Sequence, residues 1–498
     1  MRLEDLAAAS PGAAIGSGGA ADIRRVIYDS RQAGPGDLFV AVRGLRVDGH
    51  DFAASAAARG AAVAVERTVP LPEGTAWLRV PDTRLGLAEL AAALHGRPAG
   101  RMTMIGITGS SGKSTTTHMI AHTLELAGLP TGFLSTVTIR AAGRVMDNPS
   151  GRTTMESADV QDWLARIAEG GARVAIVEAT SHALDQGRVG ACEFDLAAVT
   201  NVGSDHLDYH HTRERYLRAK ARLIELCAAA DDKGIPKTAV LNRDDASFAD
   251  LVTYPVPRLL TYGIDSHADV RALDPAPLDG GGTCFRLRAG GRDATVGLRH
   301  VGRYNVYNAL CAATCCLALD VPIETVAAGL SSFPGVRGRL ELVDLGQPFR
   351  VYVDFASTAH ELQTVLPQLK EALTGRLLVV IGPTGRSDHD RPRMGRAVAQ
   401  SSDYFIISTD DPVEEDPAAL AAEMERGTDG RKRGVDYEVI LDRRDAIRRA
   451  MEVARPGDSV VLAGKGHELT MIVAGGPVPW DDRAEAEAAL RDMGFGQA

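Results

Sequence analysis

The amino-acid sequence predicts an α/β protein of three domains. At roughly 100–200 residues per domain, a chain of 498 residues is expected to form about three. Short apolar runs typical of buried strands alternate with helical stretches, which is the pattern of parallel sheets covered by helices. A glycine- and serine-rich loop joins one of these strands to the next helix, and this places a phosphate-binding element in the middle domain.

The first domain is expected to cover residues 1–98 as a small α/β unit. The runs "DLFVAV" (37–42) and "AAVAVE" (61–66) indicate strands, and "DFAASAAARG" (51–60) indicates a helix that ends at a glycine. The second domain, 99–336, is expected to carry the phosphate loop on a parallel sheet. Its further strands are indicated at 174–179, 196–202 and 238–242.

The later part of the central domain differs in character. A less regular, antiparallel insert is indicated near residues 290–299, and a long alanine-rich helix at 306–318. The Pro/Gly-rich segment "SFPGVRGRLE" (332–341) then marks a hinge to a third domain, 337–498. In that domain a doubly wound, Rossmann-like sheet is predicted by apolar runs at 349–356, 376–382, 403–409 and 458–464.

The composition excludes several classes of protein. A net charge of −10 without a long basic run argues against a nucleic-acid partner. No run reaches the roughly 18 apolar residues of a membrane span, and the first residues lack the apolar core of a signal peptide. We therefore expect a cytoplasmic protein without a membrane partner. The six cysteines give no disulfide framework, and we expect Cys311, Cys315 and Cys316 to be buried core residues.

The segment "ITGSSGKST" (107–115) carries the clearest chemistry. Glycines let backbone N–H groups approach phosphate oxygens, Lys113 can bridge the β- and γ-phosphates of ATP, and the Ser114 hydroxyl can bind Mg²⁺. Ile107 stands where the full Walker pattern has glycine, so the loop has a shortened G-x-x-G-K-S form. Only seven of the 55 Lys and Arg residues are lysines, which favours a specific role for Lys113. The ATP-binding loop is expected to comprise Gly109, Ser110, Ser111, Gly112, Lys113, Ser114 and Thr115.

Two more polar clusters follow apolar strands, where open α/β sheets bind their ligands. Glu178 ends one strand and is a candidate Mg²⁺ ligand, and His206 follows another strand. No cysteine cluster accompanies the histidines, which disfavours zinc, and we expect His210 and His211 to lie on a solvated loop. Lys220 lies in the helix "RYLRAKARLIEL", and a lone helical lysine is usually solvated.

Taken in chain order, these strings resemble the Mur ligase family, specifically its MurE type, which adds the third residue to the UDP-N-acetylmuramoyl dipeptide of peptidoglycan. The resemblance spans essentially the whole chain and rests on "GDLFVAVRGLRVDGHDF", "TGSSGKSTTT", "SHALDQGRV", "DHLDYH", "YLRAKARLIE", "GRYNVYNALCA", "FPGVRGRLE" and "AGKGHE". It implies an ATP-dependent amide ligase that uses Mg²⁺, forms an acyl phosphate and takes small-molecule substrates. We expect a monomer, with closure of the third domain bringing the amine to the acyl phosphate.

The resemblance also implies roles for single residues. Lys220 would be carbamylated by CO₂ and would bind magnesium together with Ser114, Glu178 and His206; these residues and Lys113 form the catalytic set. Beyond the loop, the nucleotide would be bound by Asn242, Asn305, Arg339 and Asp354. The UDP-linked substrate would be bound by Ser30, Arg31, Thr153, Thr154, Ser181 and Arg188. The amino acid would be bound by Asp410, Asp411, Arg391, Gly464 and Glu468.

Departures from the family pattern fall mainly in the third domain. The D-N-P-R motif, whose arginine pairs with the distal carboxylate of meso-diaminopimelate, is "DDPV" here, and Val413 cannot pair with a carboxylate. Ser357 and Ala359 stand where a histidine and a proline are usual. The loop at 382–395 is shorter than usual and lacks its lysine. On the donor side, Met155 replaces a proline.

Three functions remain open at this point. A MurE-type ligase would add a residue other than meso-diaminopimelate, such as L-lysine or a neutral or cationic amino acid. A specialised MurE-like ligase would join a different carboxylate and amine, for example in natural-product or cell-surface peptide biosynthesis, and the change at Met155 allows this. A nucleotide-binding pseudoenzyme is opposed by the retention of Lys113, Glu178 and Lys220. Because the changes cluster in the acceptor domain, the first function is favoured.

Overall fold

The computed structural model describes residues 1–44, 47–203, 205–278, 281–385 and 390–496. The chain forms two compact units. The first comprises Met1–Leu273, Arg286–Thr295 and Tyr307–Leu330, and the second comprises Asp274–Phe285, Val296–Val306 and Ser331–Ala498. The domain boundaries expected after residues 98 and 336 stay predictions.

The N-terminal part of the first unit is a small sheet with three helices among its described residues: α1 (Leu3–Ala8), β1 (Ala14–Ser17), β2 (Arg25–Ile27), β3 (Asp37–Val40), α2 (Ala53–Ala58), β4 (Ala62–Val65), β5 (Trp77–Arg79) and α3 (Thr83–Leu94). The strand order is β1-β5-β4-β3-β2, and every pair except β1 with β5 is parallel. The predicted strands at 37–42 and 61–66 are confirmed. The helix predicted at 51–60 is a 3₁₀ turn, Gly49–Phe52, followed by α2.

The central sheet carries the phosphate loop. Its elements are β6 (Thr103–Thr108), α4 (Lys113–Leu126), β7 (Thr131–Leu134), β8 (Thr138–Ala141), β9 (Arg144–Asp147), α5 (Ser157–Glu169), β10 (Val174–Glu178), α6 (Ser181–Asp185), β11 (Leu196–Val199), α7 (Leu207–His210), α8 (Arg213–Ala229), β12 (Thr238–Asn242), α9 (Phe248–Leu251), β13 (Arg258–Gly263), β14 (Val270–Pro277), β15 (Thr283–Ala289), β16 (Arg292–Leu298), α10 (Arg303–Ala318) and α11 (Ile323–Ser332). The strand order is β16-β15-β14-β13-β12-β11-β6-β10-β7-β8-β9.

Strands β6, β10, β11 and β12 are parallel and lie in the middle of this sheet. Nearly every residue in them is buried, because helices cover both faces, and this explains the continuous apolar runs of their sequences. The parallel arrangement aligns the carboxyl ends of β6, β10 and β11 at one edge. The loops that leave these ends hold most of the residues that the sequence assigns to ATP and magnesium. The three cysteines of α10 are buried, as predicted.

The second unit contains the predicted doubly wound sheet. Its later elements are β17 (Glu341–Val343), β18 (Arg350–Asp354), α12 (Ala359–Ala372), β19 (Leu377–Ile381), α13 (Arg391–Ser401), β20 (Tyr404–Ile407), α14 (Pro417–Glu425), β21 (Tyr437–Val439), α15 (Arg443–Val453), β22 (Ser459–Ala463), β23 (Thr470–Val473), β24 (Gly476–Pro479) and α16 (Asp482–Asp492). The order is β17-β18-β22-β19-β20-β21, parallel except at β17. No helix within the described residues is long and apolar enough to cross a membrane.

Candidate active site

The phosphate loop lies between β6 and α4 and is packed so closely that its glycines cannot be replaced. Gly112 has φ +81° and lies against the Asn308 side chain, and Gly109 lies against the Thr200 hydroxyl; a Cβ at either position would clash. The Lys113 Nζ donates to the backbone oxygens of Gly109, at 2.8 Å, and Ser110, at 3.1 Å. The ammonium group is therefore held at the loop, where it can neutralise a bound phosphate.

Residues after β11 hold the loop in place. The Ser110 N–H donates to the Asn201 carbonyl at 3.1 Å, and the Ser111 N–H donates to the Asn201 side chain at 3.0 Å. The Thr200 hydroxyl donates to the Ser111 carbonyl at 2.6 Å. The sequence predicted neither Thr200 nor Asn201 as a site residue, although both follow an apolar strand, which is the signal that pointed to His206.

Glu178 is the buried acid of the site. It ends β10 in register with Ile107 of β6, so its carboxylate lies beside the start of α4. The Ser114 hydroxyl donates to Glu178 Oε2 at 3.1 Å, and the Thr136 hydroxyl donates to the same oxygen at 2.9 Å. A hydroxyl and a carboxylate at this separation are the hard oxygen ligands that Mg²⁺ prefers.

Lys220 is buried inside α8, contrary to the usual solvated lysine of a helix. Its side chain is 1% exposed, and its Nζ lies 4.5 Å from the centre of the Tyr216 ring. Burial, together with the charge of Lys113, lowers the pKa of Lys220 well below its ordinary value, while Asp205 opposes the shift. Burial thus favours the neutral, nucleophilic form of this amine.

Tyr216 connects this lysine to the phosphate loop. Its hydroxyl lies 2.8 Å from the Ser110 hydroxyl, which in turn accepts a hydrogen bond of 2.8 Å from the Gly203 N–H. The Tyr216 hydroxyl also donates to Asp205 at 3.4 Å. The phosphate loop and the segment before His206 are thus joined through one buried tyrosine.

The histidines lie together next to this tyrosine. His206 has φ +55°, and its ring centre lies 4.8 Å from that of His182. Burial lowers the pKa of His206 and lowers that of His182 to about 4, so both rings are neutral and able to use a nitrogen lone pair at neutral pH. The expectation of a solvated loop was wrong for His210, because His210 is buried as the last residue of α7; His211 is exposed.

The residues assigned to the donor substrate form a second group around β10. The Thr154 hydroxyl donates to the Glu178 carbonyl at 2.8 Å, and the Arg188 guanidinium donates to the Thr154 carbonyl at 3.2 Å and pairs with Glu156 at 3.2 Å. The Thr153 hydroxyl lies 3.1 Å from the Thr136 hydroxyl, to which it can donate. The buried Ser181 hydroxyl has no hydrogen-bond partner among the described residues, which leaves it available to a ligand.

Ser30 and Arg31 occupy an exposed turn after β2. The Arg31 guanidinium donates to both oxygens of Asp29, at 2.9 and 2.8 Å, and the Ser30 carbonyl accepts from Arg59 at 2.9 Å. Met155, in contrast, is 4% exposed and packs into the hydrophobic core of the central sheet. Its departure from the family pattern is thus absorbed by packing.

The asparagines assigned to the nucleotide are both buried. Asn242 ends β12, and its side chain donates to the Thr200 carbonyl at 3.4 Å. The Asn305 side chain donates to the Val301 carbonyl at 2.9 Å. Asn308, which the sequence did not predict, lies against Gly112 of the phosphate loop. The quoted motif "GRYNVYNA" contains both Asn305 and Asn308, so the second asparagine could have been found from it.

In the second unit, Asp354 ends β18, and its carboxylate accepts hydrogen bonds from two backbone N–H groups. Its two carboxylate oxygens accept the N–H groups of Leu340, at 2.8 Å, and Ala356, at 2.9 Å. These bonds fix the backbone directly after Arg339 and directly after Phe355, and the Arg339 guanidinium lies 4.7 Å from the Phe355 ring centre. Asp354 therefore orients Arg339 through the backbone.

The residues assigned to the amino acid surround Lys465. Its buried Nζ lies 2.7 Å from Asp411, 2.6 Å from Glu468 and 3.5 Å from Asp410. Burial raises the pKa of Asp410 to about 6, opposed by Lys465 and Arg443. Gly464 has φ +110° and lies against the Asp410 carboxylate, so no larger residue fits there. The cluster of Asp410, Asp411, Glu468 and Lys465, here named the acidic cluster, has three carboxylates for one ammonium group.

Arg391 is the remaining residue assigned to the amino acid, and it is the first residue of α13. Arg391 is buried, donates to the Thr384 carbonyl at 3.0 Å and pairs with Glu423 at 2.8 Å and Glu415 at 3.1 Å.

Among the positions that depart from the family pattern, Val413 has φ +57°, a rare conformation for a β-branched residue. Part of the loop predicted to differ, residues 386–389 within 382–395, lies outside the described residues. Ser357 donates its N–H to Glu361, and Ala359 begins α12.

Three models of known families match the chain. The Mur ligase family catalytic domain matches residues 22–95, the Mur ligase middle domain matches 107–316, and the Mur ligase glutamate ligase domain matches 338–466. A UDP-N-acetylmuramyl-tripeptide synthetase of Roseiflexus sp. (strain RS-1) is 42% identical over 493 residues, 95% of this chain and 96% of that protein. A UDP-N-acetylmuramoyl-L-alanyl-D-glutamate–2,6-diaminopimelate ligase of Geobacillus kaustophilus (strain HTA426) is 39% identical, covering 99% of this chain and 100% of that protein.

Solved structures agree with these matches. A structure of a UDP-N-acetylmuramoyl-L-alanyl-D-glutamate–2,6-diaminopimelate ligase is 28% identical, covers 99% of each chain and gives a TM-score of 0.70. The ADP complex of MurF ligase from Thermotoga maritima, 21% identical and covering 94% of this chain and 96% of that one, shares the fold with a TM-score of 0.61.

The phosphate loop, the buried acid beside it and the three matched regions define an ATP-dependent ligase that forms ADP. The chain belongs to the Mur ligase family, and the Roseiflexus and Geobacillus relatives, at 42% and 39% identity, carry names of the MurE type.

Proposed function

We propose that this ligase joins an amino acid other than meso-diaminopimelate to a UDP-N-acetylmuramoyl dipeptide through an acyl phosphate. The hydrogen bond from Ser114 to the buried Glu178 carries the catalytic part of this proposal. This bond joins the phosphate loop to a buried carboxylate that could bind a metal ion, and the combination supports phosphoryl transfer at this site. The name of the Roseiflexus relative, a tripeptide synthetase, supports the choice of donor.

The donor atoms fit magnesium. Ser114 and Glu178 supply oxygens, His206 supplies a neutral imidazole, and a carbamate on Lys220 would supply two further oxygens. When bound, the metal ions offset the repulsion between the triphosphate and the attacking carboxylate. The neutral amine of Lys220 would add to CO₂ and release one proton to solvent, and the positive charge of Lys113, which acts on this group, would stabilise the resulting carbamate anion.

The side chains of the chain then bind and orient the substrates. Lys113 would hold the β- and γ-phosphates at the loop, while Ser181 and Arg188 would bind the donor peptide. The donor carboxylate attacks the γ-phosphorus, and ADP leaves. The amine of the amino acid attacks the acyl carbon, loses a proton and expels inorganic phosphate. We further propose that Asn242, Asn305, Arg339 and Asp354 serve the nucleotide, the last by positioning Arg339.

The acidic cluster supports an acceptor with a cationic side chain. Three carboxylates and one ammonium group leave a net negative charge at Asp410, Asp411 and Glu468. Val413 offers no donor to a distal carboxylate such as that of meso-diaminopimelate. An amino acid whose side chain carries an amine but no second carboxylate, such as L-lysine, suits the acidic cluster better. The burial of Met155 within the core supports an unchanged donor, which weighs against a ligase for a different carboxylate.

The experiment measures phosphate release and amide formation with UDP-N-acetylmuramoyl-L-alanyl-D-glutamate and a panel of amines. L-Lysine is expected to give the highest kcat/KM, and meso-diaminopimelate a value lower by at least about tenfold, because one lost charge-assisted pair contributes about 1.5–3 kcal/mol. The Lys113→Ala variant controls for contaminating ATPase. No turnover with any amine refutes the proposal, and faster turnover with an unrelated carboxylate supports a specialised ligase.

A further inference from the structure

Three segments of the second unit meet beside Lys465 in a fixed arrangement. Gly338, at φ +64°, lies against the backbone of Gly466 and His467, and Gly466, at φ +52°, lies against Phe355; a Cβ on either glycine would clash with backbone atoms. The carboxylate of Asp354 fixes the adjacent N–H groups of two of these segments. The side chains of Arg339, Phe355 and His467 therefore project from backbone that has little freedom to move.

The side chains of Arg339 and His467 both lie close to the Phe355 ring. The Arg339 guanidinium lies 4.7 Å from the centre of the Phe355 ring, and the centre of the His467 ring lies 4.9 Å from the same ring. Arg339 Nε and His467 Nδ1 are buried and have no hydrogen-bond partner among the described residues. A buried polar atom without a partner costs about 1–3 kcal/mol, so two such atoms together point to a ligand that both contact.

The charges around His467 identify the kind of ligand. Burial lowers the pKa of His467 to about 3, and the positive charges of Arg339, Arg337 and Lys465 add to this effect. Arg337 is paired with Asp481 at 2.8 Å, and Lys465 with the acidic cluster, whereas Arg339 has no ion-pair partner among the described residues. A neutral imidazole beside an uncompensated guanidinium matches an oxyanion that accepts hydrogen bonds from both.

We propose that His467 is a phosphate-binding residue that donates a hydrogen bond to a phosphoryl oxygen held by Arg339. This inference rests on the proposed function, since the phosphoryl group is the one that leaves ATP. Two sources share this chemistry, namely the terminal phosphate of ATP and the acyl phosphate formed from it. The imidazole stays neutral throughout and transfers no proton. Its contribution is a fixed donor in a site that water leaves when the ligand binds.

The test compares full-length His467→Phe and His467→Asn with the unmodified protein. Phenylalanine keeps the ring contact with Phe355 and removes the donor, whereas asparagine restores an N–H close to the position of Nδ1. Calorimetry with Mg²⁺ measures the Kd of ADP and of a non-hydrolysable ATP analogue. We expect His467→Phe to raise the Kd of the ATP analogue by about tenfold and to leave the Kd of ADP unchanged. We expect His467→Asn to recover part of the lost affinity for the analogue.

His300→Phe is the matched control. His300 is also buried in this unit, lies 5.3 Å from the Phe333 ring, has an unpartnered Nδ1 among the described residues, and has its pKa lowered to about 4 by burial with Arg299 nearby. It reports the effect of losing a buried imidazole as such. We expect no change in the ratio of ADP to analogue affinity in this variant.

The acyl phosphate is tested by trapping it with hydroxylamine in the absence of an amino acid. Reduced trapping in His467→Phe, with analogue affinity unchanged, assigns the contact to the acyl phosphate. If both the affinity ratio and the trapping are unchanged, or if only the KM of the amino acid rises, the assignment of His467 is overturned. Amide synthesis by the unmodified protein in the same preparation separates that result from failure of the proposed function.

Discussion

Replacing Lys465 by methionine removes the buried ammonium group of the acidic cluster and leaves its carboxylates facing one another. The lost contacts are 2.7 Å to Asp411, 2.6 Å to Glu468 and 3.5 Å to Asp410. Removing one partner from a buried ion pair costs about 3–5 kcal/mol, because the remaining charge is buried without compensation. Glu468 is 34% exposed, so water screens part of its charge, and we expect a total within that range.

The stability lost in Lys465→Met should become smaller as the pH falls. The carboxyl oxygens of the acidic cluster lie within 4.8 Å of one another, and burial already raises the pKa of Asp410 to about 6 while Lys465 opposes the rise. Without the ammonium group, the folded variant binds more protons than the unfolded chain between pH 7.5 and 5. Its stability therefore rises as the pH falls from 7.5 toward 5, and the difference from the unmodified protein becomes smaller.

Urea unfolding and scanning calorimetry of the full-length protein at pH 7.5 and 5.5 measure both effects. At about 2–4 °C per kcal/mol, the affected transition should move down by roughly 6–20 °C at pH 7.5. Lys370→Met is the control, because Lys370 and Asp403 form an exposed pair at 2.9 Å whose removal should change stability by about 0–1 kcal/mol. Equal loss in both variants, or a Lys465→Met deficit that grows in acid, would refute the electrostatic reasoning.

Three further outcomes are expected. Lys220→Ala should abolish amide synthesis, and bicarbonate should restore the activity that the unmodified protein loses on dialysis at low CO₂; full activity of the variant would contradict carbamylation. Val413→Arg should not give efficient use of meso-diaminopimelate, because the backbone there has φ +57° and the loop at 382–395 has also changed; a kcat/KM equal to that for the best amine would contradict this. Asp410→Asn should stabilise the protein by up to about 3 kcal/mol at pH 7.5, measured by urea unfolding, because a pKa of about 6 makes the folded carboxylate unfavourable above that pH; the gain should vanish by pH 4, where the carboxyl group is protonated.

The sequence predicted the elements that depend on local pattern. Continuous apolar runs gave the buried parallel strands, and the spacing of Gly109, Gly112 and Lys113 gave the phosphate loop, because both signals lie within a few consecutive residues. Thr136 was missed, although it follows β7 in the way that His206 follows β11. The sequence therefore held a signal for Thr136, whose contact with Glu178 joins residues 42 positions apart.

Other features required the tertiary structure. The pairing of Lys465 with Asp411 spans 54 positions, and no periodicity of the sequence indicates it. Lys220 resembles any solvated helical lysine until the burial of its side chain is known. His210 was misassigned because a run of polar residues looks like a surface loop, while its ring packs 5.4 Å from that of Tyr216.

The pairing of β10 with β6 has a consequence for how this site tolerates change. Glu178 stands opposite Ile107 in an unbroken parallel ladder, so backbone hydrogen bonds set how far along the strand the acid lies from the phosphate loop, and the hydrogen bond from Ser114 adds to this constraint. Substitutions elsewhere in β10 can alter packing without moving the acid along the strand. A single inserted residue, by contrast, would turn every following side chain to the opposite face and carry Glu178 away from Ser114. We therefore expect length, more than composition, to be the constrained property of this strand.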